Sequence, residues 1–128
     1  AELLAGGEVP ASEAVARALH ARVEPSRITL SSDANASLPR FDAERRFVGL
    51  EPGRLSSPFE VLGECIDEHG IAWETAIGVA STHAADALGL STKGRLAPGH
   101  DADLLILAEG EWAIDEVWAL GRRVYRRD

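Results

Sequence analysis

An α/β fold with a short β tail is the fold class this sequence predicts, on three observations. A helix-type run at 12–22 is followed, after a break, by an apolar strand-type run, which is the αβ half of a βα repeat. Two more runs with helical spacing lie between Ser57 and Leu88. Past residue 91 the pattern changes to short extended pieces between turn signals. The chain has 128 residues, one domain's worth of length, which buries roughly two-thirds of its unfolded surface on folding. With 45% hydrophobic and 27% charged residues it reads as an ordinary globular chain.

Residues 1–9 read as a loop or frayed connection. Ser12 precedes Glu13, and Val15, Ala18 and Leu19 follow at helical spacing. Serine as the cap with an acid in the first turn predicts a helix over 12–22. Glu24-Pro25-Ser26 ends it, and Arg27–Ser32 is expected as a strand. After Asp33, a stretch of about twenty residues with Pro39, Gly49, Pro52 and Gly53 predicts a long loop, unusual unless functional or mobile. Phe47-Val48-Gly49-Leu50 is a brief extended segment inside it. Ser57-Pro58-Phe59-Glu60 predicts a capping box, with Ser57 as cap, Pro58 in the first helical position and Glu60 reaching back. Phe59, Leu62, Cys65 and Ile66 then share one face, and Gly70 is the stop. A second helix is predicted from Trp73 to Leu88, with Trp73, Ile77, Ala80, Ala84 and Leu88 as its stripe and Gly89 as its cap. Leu104–Leu107 is a strand. Ile114, Val117 and Trp118 mark an extended piece leading to a turn at Gly121 and a final strand at Val124-Tyr125. The organisation expected is therefore residues 1–91, α/β-like, and residues 92–128, short β elements. Three short strands do not close a β core alone and need partner strands.

The net charge of −8 argues against a general nucleic-acid binder, which needs a basic face. Arg122-Arg123 and Arg126-Arg127 read as a solvated edge strand rather than a phosphate patch. No apolar run approaches the ~20 residues of a membrane-spanning helix, and the N-terminus lacks the basic region of a signal peptide. Cys65 is the single cysteine, which excludes an internal disulfide and a cysteine zinc cluster. The compartment expected is the reducing cytoplasm. The sequence contains no methionine, as expected of a fragment or processed chain.

The heptad Ser31-Ser32-Asp33-Ala34-Asn35-Ala36-Ser37 carries the main chemical signal. It puts one carboxylate where an apolar strand opens into small polar residues, the place where α/β enzymes hold working groups. On spacing alone, an aspartate capping its own turn explains Asp33 slightly better. Ser37 divides evenly between a substrate contact and a local cap. His83 and Asp86 stand three apart on a predicted helix, read as a packed helix with a satisfied polar pair. His100-Asp101-Ala102-Asp103 could suggest a metal site. Cys65 is read as a small buried hydrophobe. Of Arg40, Arg45, Arg46 and Arg54, one could grip a carboxylate, although each alone reads as a surface residue.

Taken with Lys93-Gly94-Arg95-Leu96-Ala97-Pro98-Gly99-His100-Asp101-Ala102-Asp103-Leu104, the heptad resembles the C-terminal portion of the metal-dependent amidohydrolase superfamily. Within that superfamily it is most like isoaspartyl dipeptidase (β-aspartyl peptidase), whose pattern is Ser-Ser-Asp-Gly-Asn-Gly-Ser. The likeness runs from about residue 10 to 125. It implies the last strand and helices of a (β/α)₈ barrel plus part of a small β-sandwich. It also implies that Asp33, after the eighth strand, is a metal ligand and the catalytic proton acceptor in a centre of one or two zinc ions. Ser37 matches the serine that contacts the substrate's α-carboxylate, and His100-Asp101-Ala102-Asp103 matches a superfamily turn whose aspartates cap backbone amides. Ala34 and Ala36 replace family glycines, which restricts the loop's conformations. The family's other ligands, a His-x-His, a lysine and two later histidines, have no counterpart here, and a catalytic zinc takes three protein ligands.

The resemblance thus implies an enzyme that hydrolyses β-aspartyl dipeptides by metal-activated water, completed by the remaining N-terminal barrel of the same protein. The chain alone is expected to be inactive, to hold no zinc tightly, and to aggregate or form a homo-oligomer. Another subtype (D-aminoacylase- or dihydropyrimidinase-like) and a non-catalytic truncated fragment are the alternatives. No nucleic-acid or membrane partner is expected.

Overall fold

The computed structural model describes residues 2–4 (as backbone), 9–35 and 37–128, and the chain forms two compact units, Ala1–Ala84 and Ala85–Asp128. The first unit opens with a strand where a loop was expected. Glu2–Leu4 (β1) pairs in parallel with Thr29–Ser31 (β2), Leu3 opposite Leu30. Three residues are too few to show an alternation, so only the partner strand reveals this one. Residues 5–8, also expected as loop, lie outside the described residues. Between the strands runs α1, Ala11–His20, making a β–α–β unit.

The start of α1 differs from the expected cap. Pro10 holds the cap position in extended backbone and accepts the Ala14 amide at 3.0 Å, while Ser12 is buried inside the helix. Proline suits a helix entrance because its missing N–H has no intrahelical role there. After a 3₁₀ turn at Pro25–Arg27 the chain enters β2.

The expected long loop is instead an ordered hairpin. Ser37–Phe41 (β3) pairs antiparallel with Phe47–Pro52 (β4). Its turn is built by Asp42, whose carboxylate accepts the Glu44 amide at 3.0 Å and the Arg46 amide at 2.9 Å. Arg45 takes the left-handed position, φ 61°, that a glycine would have advertised. The hydrogen bond from the Arg46 amide, before any other cause, holds the Asp42 carboxyl below its usual range. Phe41 and Phe47 meet edge to face across the strands, with centroids 6.3 Å apart. Pro39 is tolerated because a two-stranded ribbon has only edges.

Helix α2 spans Ser57–Asp67, and its cap is Ser56 rather than Ser57. No side-chain oxygen caps an amide there. Ser57 Oγ donates to the Arg54 carbonyl at 2.8 Å, and Ser56 Oγ donates to Glu60 at 3.1 Å. The buried face is Val61, Leu62, Gly63 and Cys65, with Phe59 and Ile66 only half-buried. Gly70, at φ 62°, ends the helix as expected, and Ile71 N–H closes back on the Cys65 carbonyl at 3.0 Å.

The predicted long helix is two. Trp73–Ala80 (α3) breaks at Ser81, and Thr82–Ala87 (α4) follows. The His83 ring lies so close to Gly78 that a Cβ there would stand 2.9 Å from two of its atoms, a fold-back that a continuous helix does not permit. The expected apolar stripe is also reversed. Trp73 and Ile77 are exposed, whereas Ala76, Gly78 and Val79 are buried. Small residues let α3 approach β2 and the 3₁₀ turn closely. The core of this unit gathers Val15, Ile28, Leu30, Cys65, Ala76 and Val79.

In the second unit Leu104–Leu107 (β5), Ile114–Ala119 (β6) and Arg122–Arg126 (β7) form an antiparallel sheet in the order β5-β6-β7. Leu120 and Gly121, both at positive φ, make the tight turn that matches strand twist. Lys93 bonds both Asp101, at 2.9 Å, and Asp103, while Asp103 accepts the Leu120 amide at 2.7 Å. Asp103 thus caps a backbone amide as expected, whereas Asp101 accepts from Lys93 and from the Thr92 hydroxyl. None of the residues in these three strands is fully buried.

A pH dependence follows from Asp103. Its carboxyl is held below the usual value, first by the Lys93 hydrogen bond and then by the Leu120 amide. A depressed carboxyl stabilises the fold fully above its unfolded pKa, about pH 4, and the gain is lost as pH falls through the lower folded value. Urea midpoints at pH 7 and pH 3 should therefore show an acid loss that Asp103→Asn reduces. An undiminished acid loss in that variant would contradict the role.

Candidate functional site

The site is built at the C-terminal end of β2. Leu30, almost fully buried, anchors the strand, and the chain turns out at Asp33, which is half-buried. Asp33 has φ 48°, a left-handed conformation that a non-glycine residue holds only when its surroundings impose it. Two short-range bonds shape the turn: Asp33 N–H donates to Ser31 Oγ and Ala34 N–H to Ser32 Oγ, each at 3.3 Å. Ser31 and Ser32 therefore order the turn through their hydroxyls, which leaves the aspartate carboxylate outside these bonds. Ala36 lies outside the described residues. Ser37 opens β3, exposed, opposite Pro52.

Asp33 and Ser37 thus flank one short turn between a buried strand and a hairpin. One contact in this region had no signal in the residue pattern. Gly53, directly after β4, approaches so closely that a Cβ there would lie 2.5 Å from the Asp33 carbonyl oxygen. The pairing of β3 with β4 brings it there.

The other candidates lie apart from this turn in sequence and carry their own interactions. Arg46 binds Asp42 and Glu44, and Arg54 binds Glu60, so both read as surface residues. The Arg54–Glu60 pair lines a cleft of about 480 Å³ with Leu38, Glu51, Val61 and Glu64. Asp86 takes Arg95 in a two-pronged pair at 2.9 and 2.7 Å. His83 Nδ1 and His100 Nδ1 are each buried without a hydrogen-bond partner among the described residues. Burial, and then the charge of Glu64, push the Cys65 thiol up to about 11, which suits an inert packing residue rather than a nucleophile. The tail arginines sit on or beside edge strand β7, where Arg123 pairs with Glu116 and Arg127 with Glu111. Among the described residues no three His, Cys, Asp or Glu side chains are grouped to hold a metal ion. Among the described residues no helix is long and apolar enough to cross a membrane.

Comparison with known proteins decides the family. The profile of the amidohydrolase family matches residues 8–124. The chain belongs to the amidohydrolase family. The β-aspartyl dipeptidase of Fervidobacterium islandicum AW-1, solved in complex with β-Asp-Leu dipeptide, superposes with a TM-score of 0.80 at 26% identity, over 98% of this chain and 33% of that one. Among curated proteins, the adenine deaminase of Ligilactobacillus salivarius is 33% identical over 76 residues, covering 59% of this chain and 12% of its own. The imidazolonepropionase of Deinococcus deserti is 35% identical over 89 residues, 59% of this chain and 22% of its own. This amidohydrolase chain therefore spans about a third of the solved relative and less of the curated ones. Its α/β elements correspond to one part of the amidohydrolase fold, as the sequence predicted.

Proposed function

We propose that the chain is one corner of the active site of a zinc-dependent amidohydrolase that hydrolyses β-aspartyl dipeptides. The observation that supports this most is the position of Asp33: a half-buried acid held in a strained turn at the mouth of β2, in a fold similar to a dipeptidase solved with a β-aspartyl dipeptide. In this reading the first unit supplies β2 as the last strand of the (β/α)₈ barrel, with β1 beside it, and the helices packed around them. The strands of the second unit belong to a β-sandwich completed by the rest of the protein. The exposed Leu105, Ile106, Val124 and Tyr125 suit such a covering. The single buried cysteine suits the reducing cytoplasm.

A catalytic zinc takes three protein ligands, and this chain contributes one carboxylate, Asp33, so the remaining ligands must come from the N-terminal barrel. When bound, the ion supplies a water of lowered pKa. Asp33 would accept the proton of the attacking water as its oxygen adds to the amide carbonyl carbon, and would return it to the departing amine as the C–N bond breaks. Ser37, exposed at the start of β3, donates its hydroxyl to the substrate's α-carboxylate. Alone, this chain lacks the partners for turnover.

The test is a hydrolysis screen of the full-length protein against β-aspartyl dipeptides, N-acyl-D-amino acids and dihydropyrimidines, with metal analysis. Turnover of β-Asp-Leu with bound zinc is the expected result. Turnover of another class alone reassigns the subtype, and no turnover with any metal leaves the chain a fragment without catalysis.

A further inference from the structure

We propose that Gly53 is a positioning residue for Asp33, an inference that rests on the reading of Asp33 as the catalytic carboxylate. The hairpin returns the chain from β3 through β4 and ends with Gly53 against the back of the Asp33 turn. A Cβ at residue 53 would lie 2.5 Å from the Asp33 carbonyl oxygen, 2.9 Å from Ala34 Cα and 3.0 Å from the Asp33 carbonyl carbon. All three are backbone atoms, so no flexible side-chain tip can swing aside. The φ of Gly53 is outside the left-handed region. Glycine is therefore needed here for room rather than for conformation.

Asp33 sits at φ 48°, and among the described residues two hydroxyl contacts at 3.3 Å tie the turn locally. At its far end the turn is tied to the same hairpin exit, because Ser37 pairs with Pro52, the residue before Gly53. One short segment, Pro52-Gly53, thus meets both ends of the loop that holds Asp33 and Ser37. A side chain at 53 must displace the Asp33 peptide, and a displacement near 1 Å at a reacting group costs about a hundredfold in rate.

The experiment uses the full-length enzyme with β-Asp-Leu as substrate and three variants. Gly53→Ala is expected to lower kcat by about 10–100-fold with KM little changed, and to lower metal content. Gly49→Ala is the control, since Gly49 lies in β4 at φ 148° with open space around its missing Cβ. It strains the hairpin without crowding Asp33, so Tm should fall while kcat per folded molecule holds. Ala34→Gly combined with Gly53→Ala frees the crowded backbone, and most of the lost kcat should return. Wild-type kcat in Gly53→Ala, or an equal kcat loss in Gly49→Ala, overturns the inference. So does a Gly53→Ala protein that fails to fold and is not recovered by Ala34→Gly. An inactive Asp33→Asn enzyme beside a fully active Gly53→Ala enzyme overturns this inference alone. Wild-type turnover in Asp33→Asn overturns the reading of Asp33 and this inference with it.

Discussion

On the proposed function, Asp33→Asn in the full-length protein should lower kcat for β-Asp-Leu by roughly 10²–10⁴-fold, the range for loss of a positioned acid–base group. Asparagine keeps the size of the side chain and removes its charge and basicity. It can neither take a proton from water nor neutralise a cation. The fold should survive, because the bonds that shape this turn run from the Asp33 and Ala34 amides to the Ser31 and Ser32 hydroxyls, not to the Asp33 carboxylate. Steady-state kinetics beside a thermal melt checks both halves. Turnover like the wild type would remove Asp33 from the mechanism, whereas lost activity with a collapsed melt would make it structural.

Ile28→Ala should destabilise the fold by about 2–5 kcal/mol, the range for truncating a fully buried aliphatic side chain. Ile28 is 0% exposed and sits between the 3₁₀ turn and β2, where α3 packs on both. Close-packed neighbours relax only partly, so a cavity remains after truncation. Domain stability is typically about 5–15 kcal/mol, so this one change removes a large share of it. Urea titration gives the measurement, with a lower midpoint at an unchanged slope. A loss below about 1 kcal/mol would place Ile28 outside the packed core.

Much of the scaffold was legible because local rules agreed with the final packing. The strand at Thr29–Ser31, the stop at Gly70, the strand at Leu104–Leu107 and the turn at Gly121 each rest on neighbours within a few residues. Where local rules misled, a distant partner decided. Pro39 and Gly49 look like breakers, yet an isolated ribbon tolerates both. The Asp42 turn carries no glycine signal, because an aspartate carboxylate and Arg45 build it. Trp73 and Ile77 look like a core stripe, but the face that packs is the one whose small Ala76 and Gly78 permit close approach. The candidate site divides in the same way. Asp33 and Ser37 stand out in the heptad, whereas Gly53, twenty residues beyond Asp33, is invisible until β3 and β4 pair.

The α/β class and the acid at the strand's end were readable from neighbouring residues, and the family from the resemblance of two motifs, 31–37 and 93–104. Tertiary structure alone decided that β1 exists, that the heptad turn is backed by a hairpin, and that Gly53 stands against Asp33. Those are contacts between segments far apart in the chain, set by strand pairing and close packing, and no periodicity within one segment encodes them.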